Sequence, residues 1–597
     1  MAPSLFDQRF HDIFSAYSGT NAKALTARLY RHNRLITHPA YQAAARQCAA
    51  LMKKEGFDRV EVLKFPIDGK RCYGNWRTPK FWDIKRAYLK IKVAGKWRTF
   101  ADTRKVPTSV FVYAAPTQGE VSTLLVSMES QAIAGKMVFC PPTDENRLKL
   151  EKAGSLGMVS DFAPDWEGVR GPSDFRTGHR WENGVFSDSE RPMPGFSLSR
   201  DQGAALRKAL EREGALECLY RIDGTLGQGD FLCVTGCLTG TELPDEEVVV
   251  PAHLYECGAN DNCSGVAAAM EALRAIRILV KKKKIAQPRR TLRVLFAFEV
   301  VGFLAYFEKR LKEKKHTVYI AGVNPDMVGQ DQKKCRSVLN LYTSPHANTT
   351  FADPLLFEFI KRAAGDQLQW ARKGFIVNDN VISDPVIGVP CPALIHLRDQ
   401  FYHSNLDDMT KVSADTLKRV GGAMAAYLYA AAMLASDTAE PVAALCLAYA
   451  HERLTEEAEK GLSPERRDYL LDRETERLAS VERAAGTALP GPRAALLEFG
   501  RGLKVAPSQP VALPAGFSEK AKALIPVRTV AGTFTLEHIP YEQRRTLRFQ
   551  PHWSVKWNLP VFWADGRRTL LDIYRLASFE SGPYAPEEFL DYFLFLE

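Results

Sequence analysis

The sequence predicts an α/β protein of several domains, and three observations carry that prediction. Between about residues 246 and 436 the short apolar runs EEVVVPAH, TLRVLFAFE, VYIAGVNPD and CPALIHLRD alternate with helical segments. That is the pattern of strands buried on both faces under helices. At 597 residues, 46% apolar and 25% charged, the chain can bury more than one core. The stretches on either side have a different texture, strands and turns before and charged helices after.

Taken in order, the chain first shows two helical segments, TNAKALTARLYRHNRL and AYQAAARQCAALMKKEG. Gly56 stops the second, just ahead of the strand RVEVLKF. Residues 1–85 are read as the first part of the α/β domain. From GNWRTPKFWDIKRAYLKI onward short strands and turns take over. Within them GKMVFCPPTDENRLKLEKAGSLGMVSDF reads as strand, helix, strand, and PGFSLSRDQGAALRKALE as a strand end running into a helix capped by Ser199 or Asp201. Residues 86–235 are assigned to an inserted domain and 236–436 to the main part of the α/β domain. Residues 437–525 form a charged helical segment with the Pro-rich link LKVAPSQPVALPAG. Residues 526–597 form a compact helical module of winged-helix type.

The formal charge of +10 is modest and both signs are interspersed, so nucleic-acid affinity is not required. The run KKKK (281–284) follows a helix with apolar positions Val266, Met270, Leu273 and Val280, and reads as cations at a helix C-terminus. No basic segment followed by an apolar one opens the chain, and no window approaches 18 uncharged apolar residues. The expectation is a cytoplasmic protein without a membrane partner. Eleven irregularly spaced cysteines suit buried thiols better than a disulfide framework, and Cys233 and Cys237 read as strand positions.

Ligands of an open α/β sheet bind outside the carboxyl ends of its strands. The polar residues predicted there are His253 after EVVVPA, Asp261 opening a helix, Glu299 after RVLFAF, Asp326 after VYIAGVNP, and His403 in RDQFYHSNLDD. Each has an ordinary alternative, since an Asp before a helix is commonly its N-cap. Together, imidazoles and carboxylates suit zinc or a similar divalent ion, and one carboxylate can bridge two.

The motifs AHLYECGANDNCSGVAAAMEAL, RTLRVLFAFEVVGFLAYF, VNPDMVG and FYHSNLDDMTKVSADTL resemble, in order, the zinc-binding motifs of metallopeptidase family twenty-eight, the aminopeptidase Y-like zinc peptidases. The nearest variant is the bacterial aminopeptidase-like branch that ends in a winged-helix domain, and the insert resembles a protease-associated domain. The resemblance implies a zinc-exopeptidase fold with a mixed, mostly parallel sheet. It makes His253 and Asp326 ligands of one zinc, Asp261 the bridging carboxylate, His403 a ligand of the second zinc and Glu299 the general base. Tyr402 is a candidate donor to the oxyanion. One departure stands out: the family has two adjacent glutamates, base then ligand, whereas FEVVG has Val300 in the second place. The second site is therefore incomplete, unless Glu256 or Asp407 fills it or Glu299 has become a ligand. One or two zinc ions are expected.

The activity implied is that of an aminopeptidase acting on peptides. Two alternatives remain: a single-zinc acyl-transfer enzyme of glutaminyl-cyclase type, and an inactive homologue that acts as a binding protein. Self-association is left open.

Overall fold

The apolar runs assemble into a five-stranded sheet in the spatial order Asp58–Ile67, Gly229–Leu238, Arg290–Ala297, Leu243–His253, Val318–Gly322. The computed structural model describes residues 5–32, 37–181, 191–313, 317–507, 513–544, 547, 549 and 553–597. Leu243–His253 runs parallel to both its neighbours, while Gly229–Leu238 is antiparallel to both of its own, so the sheet is mixed. Every residue of Arg290–Ala297 is buried, which requires cover on both faces. Helices Cys263–Lys281, Ala414–Ala432 and Val301–Lys312 pack on that strand, and His38–Glu55 covers its neighbours Gly229–Leu238 and Asp58–Ile67.

Past Val323, whose N–H donates to the Val249 carbonyl at 3.0 Å, the chain enters a second sheet. Its order is Asn324–Asp326, Ala393–His396, Leu339–Tyr342, Trp370–Lys373. The first two of these are parallel, with Asp326 opposite Ile395. The carboxyl ends of Leu243–His253, Arg290–Ala297 and Asn324–Asp326 thus supply the sheet-borne site residues.

The insert is a separate seven-stranded α/β unit in the order Lys96–Asp102, Phe81–Val93, Leu216–Gly227, Val121–Ser127, Met137–Phe139, Gly157–Ser160, Gly195–Ser197. The expected strand, helix, strand is Met137–Phe139, Asp144–Ala153, Gly157–Ser160. Helix Arg200–Glu213 is capped by Ser199 in a reciprocal box with Gln202, not by Asp201. Gly56 closes His38–Glu55 at φ 72°, as its position before a strand suggests. The expected insert boundaries need correction, because 86 falls inside Phe81–Val93 and 235 inside Gly229–Leu238. The latter strand pairs with Asp58–Ile67 and Arg290–Ala297 and belongs to the five-stranded sheet.

Helices Ala439–Glu459, Pro464–Ala485 and Pro490–Gly502 add residues to the main apolar core, while the terminal module has its own core around Phe517, Trp557, Ile573 and Phe589. Among its described residues that module is helical, with one isolated bridge between Val527 and Asp565 and no β-hairpin. Residues 508–512 of the Pro-rich link lie outside the described residues. Lys281 to Lys284 are exposed at the end of Cys263–Lys281. Cys233 and Cys237 are buried strand thiols. No helix among the described residues is long and apolar enough to cross a membrane.

Candidate metal centre

Leu243–His253 ends with His253 at the rim of the sheet, buried to 1% exposure. The chain then loops through residues 254–262 before helix Cys263–Lys281 begins. The cap of that helix is Asn262, whose Oδ1 accepts the Gly265 N–H at 3.0 Å. Asp261 is therefore free of capping and turns back toward His253. Asp407 holds the loop in that shape. Its carboxylate accepts the backbone N–H groups of Asn260 and Asp261, both at 3.0 Å, and the Asn260 side-chain amide at 2.9 Å. A Cβ at Gly258 would lie 2.1 Å from the Asp407 carboxylate, so the loop needs glycine there.

Asp261 sits between two histidines. Its Oδ1 is 3.2 Å from His253 Nε2 and its Oδ2 is 3.3 Å from His403 Nε2. Two donor sets share this carboxylate, His253 with Asp261 and Asp326, and Glu256 with Asp261 and His403. Within each set the donor atoms lie within 4.8 Å of one another. Glu256 Oε2 is 3.6 Å from His403 Nε2. Both Glu256 Oε2 and Asp326 Oδ1 are buried without a hydrogen-bond partner.

The electrostatics point the same way. Burial, then Asp261 and Glu299, push the Glu256 carboxyl well above the usual range. Burial and Asp261 do the same to Asp326. Burial opposes charge on His253, yet Asp379, Asp261 and Asp326 raise its pKa well above the ordinary imidazole value. Three buried carboxylates and two imidazoles with orphaned oxygens, facing one small space, are a donor set that divalent cations fit.

Residues 234–428 match the family model of Peptidase family M28. This segment is an M28 peptidase domain. With the donors just described, it makes the chain a metallopeptidase.

Three solved structures similar to the chain illustrate the range of the likeness. A zinc aminopeptidase from Bacillus subtilis is 18% identical with a TM-score of 0.48, over 69% of this chain and 95% of that one. A Peptidase M28 precursor from Shewanella amazonensis SB2B is 17% identical with a TM-score of 0.49, over 72% and 96%. A glutaminyl cyclase from Bacteroides thetaiotaomicron is 20% identical with a TM-score of 0.27, over 35% and 79%. No curated protein matches the chain. At these similarities the family assignment rests on the matched segment and the donor geometry.

In the M28 domain Val300 is fully buried, and its N–H donates to Asp379 Oδ1 at 3.1 Å. Glu256, three residues beyond His253, supplies the third carboxylate or imidazole donor of the set with Asp261 and His403. Asp407, the other candidate, is spent on the loop. Glu299 stands outside both donor sets at the end of Arg290–Ala297. Burial, with Asp379 and Asp261, raises its pKa to about 7 against the opposing pull of His253 and His403.

Asp379 was not among the residues singled out from the sequence. Its Oδ2 lies 2.8 Å from His253 Nδ1, which orients the ring and directs Nε2 at Asp261. Asn378 likewise donates to Asp326 Oδ2 at 3.0 Å. The only signal for either was their place in a polar loop, VNDNVIS, between apolar segments. Tyr402 is half-buried, with its ring stacked on the His403 imidazole at 3.6 Å and 5.8 Å from Trp166.

Proposed function

We propose that the chain is a zinc-dependent exopeptidase, an aminopeptidase that removes N-terminal residues from peptides. The observation that carries the reading is the pair of donor sets meeting at Asp261, with Glu299 beside them. His253, Asp261 and Asp326 would hold one zinc, and Glu256, Asp261 and His403 the other. When bound, such ions supply Lewis acidity to a peptide carbonyl and make a nearby water easier to deprotonate.

The protein's own part is positional and protolytic. Asp379 fixes the tautomer of His253, so that Nε2 is the ligand atom. Asp407 fixes the turn that presents Asp261. Glu299, a ligand of neither ion, accepts the proton of the attacking water and returns it to the departing amine. Its raised pKa makes it a stronger base than an exposed glutamate, which helps the first transfer. Glu256 supports a two-ion site and argues against the single-zinc acyl-transfer alternative.

The test is zinc content of the purified protein together with turnover on matched unblocked and N-acetylated peptides. About two zinc ions per chain and amino-acid release from unblocked peptides only are expected. A chain that binds no divalent ion, or that releases ammonia from N-terminal glutamine peptides without releasing amino acids, would overturn the reading.

A further inference from the structure

The loop that carries His403 is not held by the M28 domain alone. Residues 179–181 of the insert run antiparallel to residues 403–405, with Arg180 bridged to Ser404. The Trp181 N–H donates to the His403 carbonyl at 3.1 Å, and the Asn405 N–H donates to the His179 carbonyl at 3.3 Å. The His179 N–H donates to Asn405 Oδ1 at 2.7 Å. The Trp181 ring lies 4.4 Å from the His403 imidazole.

This short segment is tied in turn to the core of the insert. His179 Nδ1 lies 2.9 Å from the Ser197 carbonyl, and Ser197 Oγ donates to the Arg180 carbonyl at 2.6 Å. Ser197 closes the strand Gly195–Ser197. A second contact lies close by, where the buried Arg170 guanidinium, stacked over Trp166 at 4.0 Å, reaches the Tyr402 carbonyl at 3.4 Å. His403 itself has φ 57°, a left-handed conformation that costs a non-glycine residue energy and must be imposed by its surroundings.

We infer that the inserted domain is a working part of the second metal site, with Trp181 as the positioning residue that holds His403 in ligand geometry. The inference rests on the two-ion reading above. Among the described residues His253 and Asp326 have no comparable tie to the insert, so the dependence is selective. Loosening residues 179–181 weakens the ion held by Glu256, Asp261 and His403 and leaves the other in place.

The experiment is zinc titration of the metal-depleted full-length protein by calorimetry, comparing wild type with Trp181→Ala, Trp181→Phe and Asn405→Ala, each checked for folding by circular dichroism. Wild type binding two ions is the reference, and failure there defeats the metal reading itself. Trp181→Ala is expected to bind the first ion as wild type does and the second at least tenfold more weakly. Its kcat should fall with little change in KM. Trp181→Phe keeps an aromatic ring and should recover most of the second-ion affinity. Asn405→Ala, which deletes one hydrogen bond, should shift it in the same direction by less, and it decides the matter if Trp181→Ala does not fold. Wild-type affinity for both ions in Trp181→Ala and Asn405→Ala, or equal loss of both ions, would overturn the inference.

Discussion

The two donor sets around Asp261 are built by different means. His253 and Asp326 end strands whose places are fixed by hydrogen-bond ladders on neighbouring strands. Glu256 and His403 stand on loops, His403 in a left-handed conformation braced by another domain. A strand end arrives pre-organised, whereas a loop ligand has to be held by contacts made for that purpose. The first set should therefore bind its ion more tightly, and the second should be the more sensitive to changes nearby.

The largest effect expected is from His253→Ala, which removes one of three protein ligands at the sheet-borne set and should abolish both tight zinc binding and turnover. The full wild-type zinc content, measured by atomic emission, would take His253 out of the ligand set. Glu299→Gln should lower turnover by roughly 10²–10⁴-fold, the usual contribution of a general base, while zinc content stays at the wild-type level. Zinc lost in step with activity would instead make Glu299 a ligand.

Smaller changes sharpen the contrast between the sets. Glu256→Gln should leave the protein with one tightly held ion in calorimetry and reduced turnover, and two unchanged binding events would return the second site to the incomplete state that Val300 suggests. Asp379→Asn should weaken the ion at His253 by roughly 10–100-fold, the range typical of lost support behind a metal-bound histidine, and should spare the ion at His403. Tyr402→Phe keeps the ring stacked on His403 and removes only the hydroxyl. Zinc binding and turnover close to wild type are expected, and a fall of about 10²-fold in kcat at full zinc occupancy would give that hydroxyl the oxyanion role.

The difference between the sets also explains what could be read in the sequence. His253, Asp261, Glu299 and Asp326 follow or flank apolar runs that announce strands, so their place at strand ends was legible from local pattern, and the resemblance joined them into one site. Glu256 could be named only as one of several candidates, because which loop side chain turns inward depends on Asp407, 146 residues beyond Asp261. Asp379 gave no periodic signal at all. The insert boundary shows the same limit, since FLCVTGCL is plainly a strand, but its membership of the five-stranded sheet depends on pairing with Asp58–Ile67. Local pattern specifies the element, and distant pairing specifies its place.

That pairing bears on how the protein reaches its native form. Asp58–Ile67 and Gly229–Leu238 are neighbours in the sheet although the whole insert separates them along the chain, a closure that would cost considerable entropy if the intervening segment were loose. The insert removes most of that cost, because its first and last strands, Phe81–Val93 and Leu216–Gly227, are themselves paired, with Phe81 opposite Gly227. Two residues later Gly229 faces Ile67. Once the insert has folded, its two ends lie side by side, and the closure that remains spans only residues 68–80 and residue 228 rather than the whole insert. The domain that braces His403 therefore also serves as the clasp on which the five-stranded sheet can zip together.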